Sequence, residues 1–497
     1  MIETHKKVIT LINWSDEEYL KSLKEPVKIL QNRIVKAKKL SRTRMVKKLQ
    51  LLLIKSLNAR ILAVKRVSEN KGKKTSGVDG KLLDTFDKKD ICVDELKIDL
   101  STYKSQPLKR IEIPKKNGKM RPLGIPTMFD RAVQALYKQV LEPVSEVTAD
   151  LNSYGFRAYR STQDAMKQIW SCTCRKTSKQ WVLEADIKGC FDNISHKWIY
   201  DNIDLDNRLL KQWLKSGFIK DGKLFPTVSG TPQGGIISPI LANMVLDGIE
   251  DIVKKHSKIV IKRDKINGKW TTTYRKNLNF NFIRYADDFV IIGDNPKALR
   301  VLQKDIEQFL SIRGLQLSKE KTHITNIYDG FDFLGFNFRK YSKGKLLVHP
   351  AKDNIKAFKY KLKKIFRKYC ASNVSLLISK LNPVIRGWGN YYRYVNSSDT
   401  FSTLDKYIWY KSLNWVKRVH NRKQTIKYYH KYFKPFPNYK IETLNDGVKS
   451  IFPLTTIPIL EFVKIQSNAN PFDSTYDYYF LKRYHNLKLR KLLALNA

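Results

Sequence analysis

The segment NFNFIRYADDFVIIG (279–293) places two neighbouring carboxylates, Asp287 and Asp288, between two apolar runs. The runs, Phe280–Tyr285 and Phe289–Ile292, are of β type, so the pattern predicts a hairpin with both carboxylates at its tip. A third carboxylate, Asp186, ends the apolar strand of WVLEADIKGCFDNIS (181–195). Each acidic step taken alone also fits a simpler interpretation, a turn that favours Asp-Asp and a helix cap at Asp186.

Carboxylates at these places could serve nucleotidyl transfer. That reaction needs an activated primer 3′ hydroxyl and a neutralised leaving pyrophosphate, and two Mg²⁺ ions roughly 3.5 to 4 Å apart provide both. Magnesium prefers oxygen ligands and keeps some waters, so two or three aspartates plus substrate phosphates suffice. We therefore predict a cofactor of two Mg²⁺ ions, with Mn²⁺ able to replace them.

Composition indicates a folded protein that binds polyanions. The chain has 497 residues, enough for two or three domains, and carries 94 Lys and Arg against 46 Asp and Glu, a formal net charge of +48. Hydrophobic residues make up 42% and aromatic residues 11%, which excludes a disordered basic protein of the histone-tail type. Nucleic acid is the expected partner.

Cysteine usage and the N-terminus indicate the compartment. The five cysteines have no CxxC spacing, which predicts neither a disulfide framework nor a zinc ribbon. The start, MIETHKKVITLINW, lacks the features of a signal or transit peptide, and no run approaches about 18 to 20 apolar residues. We predict a protein without a membrane partner that is not secreted and is cytoplasmic in bacteria, or organellar if organelle-encoded.

The pattern along the chain changes twice. Residues 27–66 have helical apolar spacing with Lys and Arg on the other face, which predicts basic amphipathic helices, and a loop rich in Gly and Lys follows at 70–80. From about 107 to 340, short β-rich runs alternate with helical patterns. From about 350 to 435 the pattern is helical again and dense in Lys, Arg, Tyr and Trp, which indicates an RNA-facing domain.

Seven sequence blocks in order resemble those of group II intron reverse transcriptases. They are IPKKNGKMRPLGIPTMFDRAVQ (113–134), NSYGFRAYRSTQDA (152–165), ADIKGCFDNI (185–194), GTPQGGIISPILAN (230–243), RYADDFVI (284–291), GLQLSKEKT (314–322) and FDFLGFNF (331–338). The resemblance implies an α+β right-hand polymerase, with fingers and a palm that carries the carboxylate hairpin, followed by an α-helical thumb and maturase domain. One departure is YGFRAYRST, where the family usually has Pro-Gly after the Arg.

The resemblance also implies roles for individual residues. Asp186, Asp287 and Asp288 match the catalytic metal ligands, with Ile187 beside them in the metal site. Phe191 matches the aromatic residue under the incoming sugar, which would collide with a 2′ hydroxyl and so favour dNTPs. The other expected nucleotide contacts are Lys115, Arg121 and Gln233. For these residues the alternatives are a solvated basic loop and, for Phe191, a core aromatic.

The flanks resemble RNA-binding regions of the same family. Interleaved aromatic and cationic side chains suit RNA, because rings stack on bases and cations meet phosphates, although a solvated basic face or a buried aromatic core is the simpler alternative. The predicted RNA contacts are Lys71, Lys73, Lys74, Arg157, Arg386, Trp388, Arg393, Lys417 and Arg418.

The predicted domains are a basic helical N-terminal extension with the start of the fingers (1–106), fingers and palm (107–340), thumb and maturase domain (341–440) and a basic DNA-binding-like segment (441–497). Relatives often continue into an HNH nuclease with paired CxxC motifs, and no cysteine follows Cys370 here. We therefore expect no HNH nuclease in this sequence.

The predicted function is an RNA-directed DNA polymerase and maturase. Its expected partners are a group II intron RNA, whose splicing it assists and which it copies during target-primed retrohoming, an RNA template with a DNA primer, target DNA and dNTPs. Three alternatives remain open: a domesticated cellular reverse transcriptase, an RNA-binding splicing cofactor that needs no polymerase activity, and an RNA-dependent RNA polymerase, which Phe191 disfavours.

Overall fold

The structure is a computed structural model that describes residues 12–98, 102–114, 118, 120–256, 258–266, 269–277, 279–420 and 425–496. The chain forms two compact units that interleave along the sequence. Unit 1 comprises Met1–Arg160, Leu183–His323 and Gln466–Phe480, and unit 2 comprises Ser161–Val182, Ile324–Ile465 and Leu481–Ala497.

Helices account for most of both flanks. In chain order they are α1 (Glu17–Ser22), α2 (Lys24–Lys39), α3 (Thr43–Lys55), α4 (Leu57–Glu69), α5 (Phe86–Glu95), α6 (Met128–Thr148), α7 (Thr162–Thr173), α8 (Cys190–Asn193), α9 (His196–Asn202), α10 (Asn207–Leu214), α11 (Ser238–Leu246), α12 (Ile249–Lys255), α13 (Pro296–Ser311), α14 (Lys352–Lys368), α15 (Val374–Tyr392), α16 (Ser398–Val419), α17 (Thr425–Tyr432) and α18 (Asp477–Asn496).

The strands concentrate between the helical flanks. They are β1 (Leu108–Pro114), β2 (Met120–Ile125), β3 (Trp181–Asp186), β4 (Phe218–Lys220), β5 (Lys223–Phe225), β6 (Lys258–Ile266), β7 (Lys269–Asn277), β8 (Phe280–Tyr285), β9 (Asp288–Gly293), β10 (His323–Asn326), β11 (Phe331–Phe333), β12 (Phe336–Lys340), β13 (Leu346–Pro350), β14 (Phe433–Pro435) and β15 (Glu442–Leu444).

In unit 1 the N-terminal helices pack on α6. The amphipathic pattern of α2, α3 and α4 buries one apolar face each, and α6 is buried on most of its surface, which includes Val133, Leu136 and Val140. Side-chain amides join these helices: Gln31 donates to the Gln139 carbonyl and Gln50 to the Val140 carbonyl. The basic residues of the predicted N-terminal extension are therefore carried by packed helices.

Two sheets position the acidic and nucleotide-side motifs. The first has strand order β10-β3-β9-β8, and β8 pairs antiparallel with β9 in a register that sets Tyr285 opposite Asp288. Phe289 and the residues that follow it in β9 are buried, as expected of a central strand. The second sheet has order β2-β1-β4-β5, in which β1 is antiparallel to β2 and parallel to β4.

Unit 2 combines a three-stranded antiparallel sheet, β11-β12-β13, with the helices α14, α15 and α16. Its core holds clustered aromatic rings: Trp388 stacks on the Phe358 ring at 4.7 Å and is tilted against the Tyr392 ring at 4.4 Å, centroid to centroid. Asp164 of α7 is fully buried and accepts a hydrogen bond from Arg483 of α18. Among the described residues, no helix is long and apolar enough to cross a membrane.

Candidate active site

The tip of the β8–β9 hairpin carries the two neighbouring carboxylates. Because Tyr285 pairs with Asp288, only Ala286 and Asp287 form the turn, and Asp288 is the first residue of β9. Ala286 has a φ of +58°, in the left-handed region that residues with a Cβ rarely adopt. The predicted hairpin is confirmed, and its backbone fixes both carboxylates next to each other on a strained two-residue loop.

Asp186 meets these carboxylates because β3 lies beside β9 in the same sheet. The carboxyl groups of Asp186 and Asp288 are within hydrogen-bond reach of each other. Burial, the negative charge of Asp287 and the contact with Asp186 raise the pKa of Asp288 to about 7. Burial and the charge of Asp186 likewise raise the pKa of Asp287, which nearby Arg121 and Lys321 partly oppose.

One cation already lies against the acidic cluster. Lys321 places its Nζ 3.0 Å from Asp186 Oδ2, and this hydrogen bond, with the charges of all three aspartates, raises the pKa of Lys321. Its side chain is 66% exposed, so the ammonium is held by charge rather than by packing. Lys321 stands within the GLQLSKEKT block, but the sequence offered no reason to pair it with Asp186, which is 135 residues away.

The donor set fits a hard divalent cation. The three neighbouring carboxylates supply oxygen ligands, and a bound cation would offset the burial and the mutual repulsion that raise the pKa of Asp288. Within the described part of the chain, no three His, Cys, Asp or Glu side chains form a preformed metal cage. That is compatible with a site that substrate phosphates complete. Ile187 has a buried side chain without a ligand atom, so only its backbone carbonyl could contribute.

Phe191 and Gln233 line one cavity of about 210 Å³, together with residues of β1, β2 and β4. The Gln233 amide donates to both carboxylate oxygens of Asp192, at 3.0 and 3.1 Å, so Asp192 positions it. The ring of Phe191 packs edge-on against Phe156, with centroids 6.3 Å apart. The structure thus brings two predicted nucleotide contacts together at one cavity.

Close backbone contacts hold this cavity in shape. A Cβ on Gly234 would lie 2.2 Å from the Gly124 carbonyl oxygen, so only glycine fits where the PQGG loop crosses β2. Thr231 donates its N–H to the Phe191 carbonyl. Arg121 is exposed on β2, and its positive charge partly opposes the rise in the pKa of Asp287. Lys115 lies outside the described residues.

Comparison with known families gives three consecutive matches. The N-terminal domain of reverse transcriptase matches residues 12–96, reverse transcriptase (RNA-dependent DNA polymerase) matches 113–338, and the group II intron maturase-specific domain matches 355–433. The chain belongs to the group II intron-encoded reverse transcriptases and maturases. The predicted α+β right-hand polymerase followed by a helical maturase region is confirmed.

Relatives support the same family. The group II intron-encoded protein LtrA of Lactococcus lactis subsp. cremoris is 27% identical over 436 residues, which cover 72% of this chain and 72% of the relative. Protein YkfC of Escherichia coli strain K12 is 34% identical over 264 residues, 48% of this chain and 69% of the relative. Telomerase from Candida albicans, solved with a fragment of telomeric RNA, aligns over 67% of this chain and 60% of its own at 14% identity and a TM-score of 0.36, too loosely to add to the assignment.

In the reverse transcriptase N-terminal domain, the predicted RNA contacts Lys71, Lys73 and Lys74 are exposed. Their loop is anchored from inside: the Arg131 guanidinium donates to the carbonyls of Gly72, at 3.2 Å, and Thr75, at 2.6 Å. The loop therefore holds a fixed backbone while its lysine side chains face solvent. Whether they bind RNA stays a prediction.

Two predicted RNA contacts lie in the protein interior. The Arg157 side chain is 5% exposed and forms a two-pronged ion pair with Glu146, besides bonds to the carbonyls of Asp150 and Ser153. Arg393 is 7% exposed and donates to the Pro458 carbonyl. Because both side chains are buried and donate hydrogen bonds within the fold, we correct their role from RNA contact to structural support.

In the maturase region the remaining predicted contacts differ in exposure. Trp388 is half-buried in the aromatic core, where ring packing accounts for it, and Arg386 is exposed with its guanidinium 4.6 Å from the Phe452 ring centroid. Lys417 and Arg418 are exposed at the end of α16 and line a cavity of about 980 Å³ between α14 and α16. We call this cavity the α14–α16 cleft; its lining residues are Lys363, Phe366, Arg367, Lys411, Asn414, Trp415, Lys417 and Arg418.

Proposed function

We propose that this protein is an RNA-directed DNA polymerase that extends a DNA primer on an RNA template with dNTPs. The observation that carries the proposal is the meeting of Asp186, Asp287 and Asp288 at the hairpin tip, where burial and mutual repulsion raise the pKa of Asp288 to about 7. Bound Mg²⁺ ions would supply activation of the primer hydroxyl and neutralisation of the pyrophosphate. These three carboxylates would hold the ions, and the Ile187 carbonyl is a further candidate ligand.

The chain's own residues would select and orient the nucleotide. The Phe191 ring, at one wall of the 210 Å³ cavity, would lie under the sugar and exclude a 2′ hydroxyl by contact. The Gln233 amide, held by Asp192, would meet a polar edge of the nucleotide. The Arg121 guanidinium, which is near enough to oppose the rise in the pKa of Asp287, would form a charge-assisted contact with the triphosphate.

The test is primer extension on an RNA template by the wild type and by Asp287→Ala. We expect synthesis in the wild type with Mg²⁺ and dNTPs but not with NTPs, and a loss of several orders of magnitude in the variant because a metal ligand is removed. Asp294→Ala is a matched control, since Asp294 is an exposed carboxylate just beyond the same hairpin. Near-normal extension by Asp287→Ala would remove the catalytic assignment, whereas a wild type that does not extend primers would favour an RNA-binding splicing cofactor.

We further propose that the α14–α16 cleft binds the phosphates of a group II intron RNA and supports splicing. Five of its lining residues are cationic, and no described lining residue is acidic. Trp415, one of the lining residues, is buried and fixed by an indole hydrogen bond to the Tyr369 carbonyl. A polyanion is the ligand that such a surface favours. Copying of the intron at a DNA target would combine both sites.

The two sites can be separated by mutation. Lys417→Gln with Arg418→Gln should weaken intron-RNA binding and lower the slope of log affinity against log salt by roughly 0.7 for each lost phosphate contact. Lys352→Gln with Lys356→Gln is the control, since it removes the same charge from exposed positions of α14 outside the cleft.

Asp287→Ala should spare RNA affinity and splicing assistance at low Mg²⁺, because that residue stands outside the cleft. If the Lys417/Arg418 variant and the Lys352/Lys356 variant bind RNA alike, the cleft is not the binding surface. If Asp287→Ala abolishes splicing assistance as completely as polymerisation, the two functions are not separable in the way we propose.

A further inference from the structure

A fully buried arginine lies directly behind the acidic hairpin. Arg284 precedes Tyr285 in β8 and has no solvent exposure. A guanidinium cannot lose its charge in a protein, so a buried one is stable only when most of its N–H groups are bound. In Arg284 both Nη atoms donate, whereas the buried Nε–H has no hydrogen-bond partner among the described residues. The partners of Arg284 therefore report what the surrounding structure requires of it.

Those partners link the hairpin turn to α11. Arg284 Nη2 lies 2.5 Å from Asp247 Oδ1, and Nη1 donates both to Asn243 Oδ1, at 3.2 Å, and to the Ala286 carbonyl, at 3.3 Å. Asn243 lies in α11 and Asp247 ends that helix. The Arg284 side chain thus links the turn residue Ala286 to helix α11.

A second contact holds the same turn residue. Asn243 donates its Nδ2 to the Gly155 carbonyl at 2.8 Å, and a Cβ on Gly155 would lie 2.3 Å from the Ala286 nitrogen. The backbone of Arg284 bonds the neighbouring segment as well, its N–H donating to Asn152 and its carbonyl accepting from Tyr154. Ala286 is therefore held between the Arg284 guanidinium and the Gly155 backbone.

The turn needs this support. Ala286 keeps a φ of +58°, which costs free energy in a residue with a Cβ, and such conformations persist only where the surroundings impose them. Asp287 is the other turn residue and Asp288 follows it, so any relaxation of Ala286 displaces both carboxylates. Functional constellations tolerate displacements of only about 0.5 Å.

We propose that Arg284, together with Asn243, is a positioning residue that sets the cation-binding geometry of Asp287 and Asp288 by holding the Ala286 carbonyl. The inference rests on the proposed polymerase function, because it assigns a cation to those carboxylates. The competing explanation is that Arg284 only neutralises Asp247, as a structural ion pair. If Arg284 only neutralises Asp247, any positive charge at position 284 is enough. If it positions the turn, its hydrogen bonds to Asn243 and the Ala286 carbonyl are needed as well.

Arg284→Lys separates them, because a lysine keeps the charge beside Asp247 but its single ammonium cannot also reproduce the planar fork to Asn243 and Ala286. We expect the Mg²⁺ concentration for half-maximal primer extension to rise roughly 5- to 30-fold, the factor for one or two lost buried hydrogen bonds. The KM for dNTP and the affinity for RNA should stay unchanged. Electron paramagnetic resonance of Mn²⁺ should show the same weakening of cation binding without turnover.

Arg313→Lys is the matched control, because Arg313 also donates to two backbone carbonyls, those of Val245 and Phe309, but not to the hairpin. It should lower the melting temperature without changing Mn²⁺ affinity. Asn243→Ala is the second variant, which cuts the same link without touching the arginine and decides the matter if Arg284→Lys does not fold. Equal Mn²⁺ affinity in Arg284→Lys or Asn243→Ala and in the wild type would overturn the proposal.

A double variant tests the route through the turn. Ala286→Gly removes the Cβ, so the turn conformation no longer needs to be imposed, and in that background Arg284→Lys should weaken Mn²⁺ binding by about threefold or less. An undiminished effect would show that Arg284 does not act through Ala286. A wild type that binds Mn²⁺ but does not extend primers would refute the proposed polymerase function while leaving this inference testable by Mn²⁺ binding.

Discussion

Replacing Asp288 by Asn should stabilise the cation-free protein at neutral pH. Burial, the charge of Asp287 and the contact with Asp186 raise the pKa of Asp288 from 3.8 to about 7, so the ionised carboxylate opposes folding. These two values differ by about 3, and a difference of one corresponds to ~1.4 kcal/mol, which gives a cost of about 4 kcal/mol. Since Asn must itself find hydrogen-bond partners, we expect a gain of about 2 to 4 kcal/mol.

The pH dependence gives the sign of the effect. Below about pH 4 the carboxyl is protonated in both the folded and the unfolded chain, so wild type and variant should be equally stable. Between about pH 4 and 7 the folded state of the wild type holds the extra proton, so its stability falls as pH rises and then levels off. The advantage of Asp288→Asn should therefore grow through this window and be complete at pH 8.

The assay is thermal and urea unfolding in EDTA at pH 4 and pH 8. At pH 8 the variant should melt about 3 °C or more above the wild type, since 1 kcal/mol shifts a domain of 150–250 residues by about 2–4 °C and a larger unit by less. Asp294→Asn, an exposed carboxylate next to the same hairpin, should change stability by less than about 0.5 kcal/mol. Equal stability of Asp288→Asn and wild type at pH 8 would refute the argument that burial and neighbouring charge penalise the ionised Asp288 carboxylate.

Three further predictions concern residues around the same site. Phe191→Ala should increase incorporation of rNTPs relative to dNTPs in primer extension while leaving Mn²⁺ affinity unchanged; an unchanged ratio would make Phe191 a core residue. Gly234→Ala should raise the KM for dNTP, because its Cβ would lie 2.2 Å from the Gly124 carbonyl oxygen and force the PQGG loop away; equal KM values would contradict this. Lys321→Gln should strengthen Mn²⁺ binding by roughly 2- to 5-fold, because an exposed ammonium 3.0 Å from Asp186 competes with a cation for the carboxylate; weaker binding would refute the competition.

The acidic hairpin was predictable because its evidence is local. Apolar runs on both sides of Asp287 and Asp288 set the strands, and the end of another apolar run placed Asp186 at a strand end. The pairing of β3 with β9 depends on the order of strands in the sheet, which local sequence patterns do not determine. Only the order of the sequence blocks indicated it. The pattern could not show that Ala286 has a positive φ, since alanine carries no sequence signal for that conformation.

The failures among the predicted RNA contacts have a common cause. In a chain with many basic residues, each of them is predicted to lie on the surface. Whether one is buried instead depends on which hydrogen-bond acceptors the fold places next to it. Arg157 meets Glu146, and Arg393 meets the Pro458 carbonyl 65 residues further along the chain. The same reasoning missed Arg284, whose partners Asn243 and Asp247 lie about 40 residues earlier.

The linear domain prediction treats the C-terminal segment 441–497 as separate, whereas the compact units divide it. Residues Gln466–Phe480 belong to unit 1, where Asp473 pairs with Lys39 and Asp477 with Lys28, both on α2. These pairs are made by a segment and a helix more than 430 residues apart, which composition alone cannot reveal. A role of the segment in DNA binding stays a prediction.

The hairpin concentrates two costs that the rest of unit 1 offsets. One is the burial and repulsion of the Asp288 carboxylate, which raise its pKa, and the other is the positive φ of Ala286. A chain of net charge +48 could have set lysines around these carboxylates, yet of the three only Asp186 has an ion pair among the described residues, with a largely exposed Lys321. A cation that binds only the folded state would return part of both costs as stability. A turn without a function would be more stable with Asn at 288 and Gly at 286, and these changes would cost it no activity. The presence of Asp288 and Ala286 is therefore better explained by a site that binds cations.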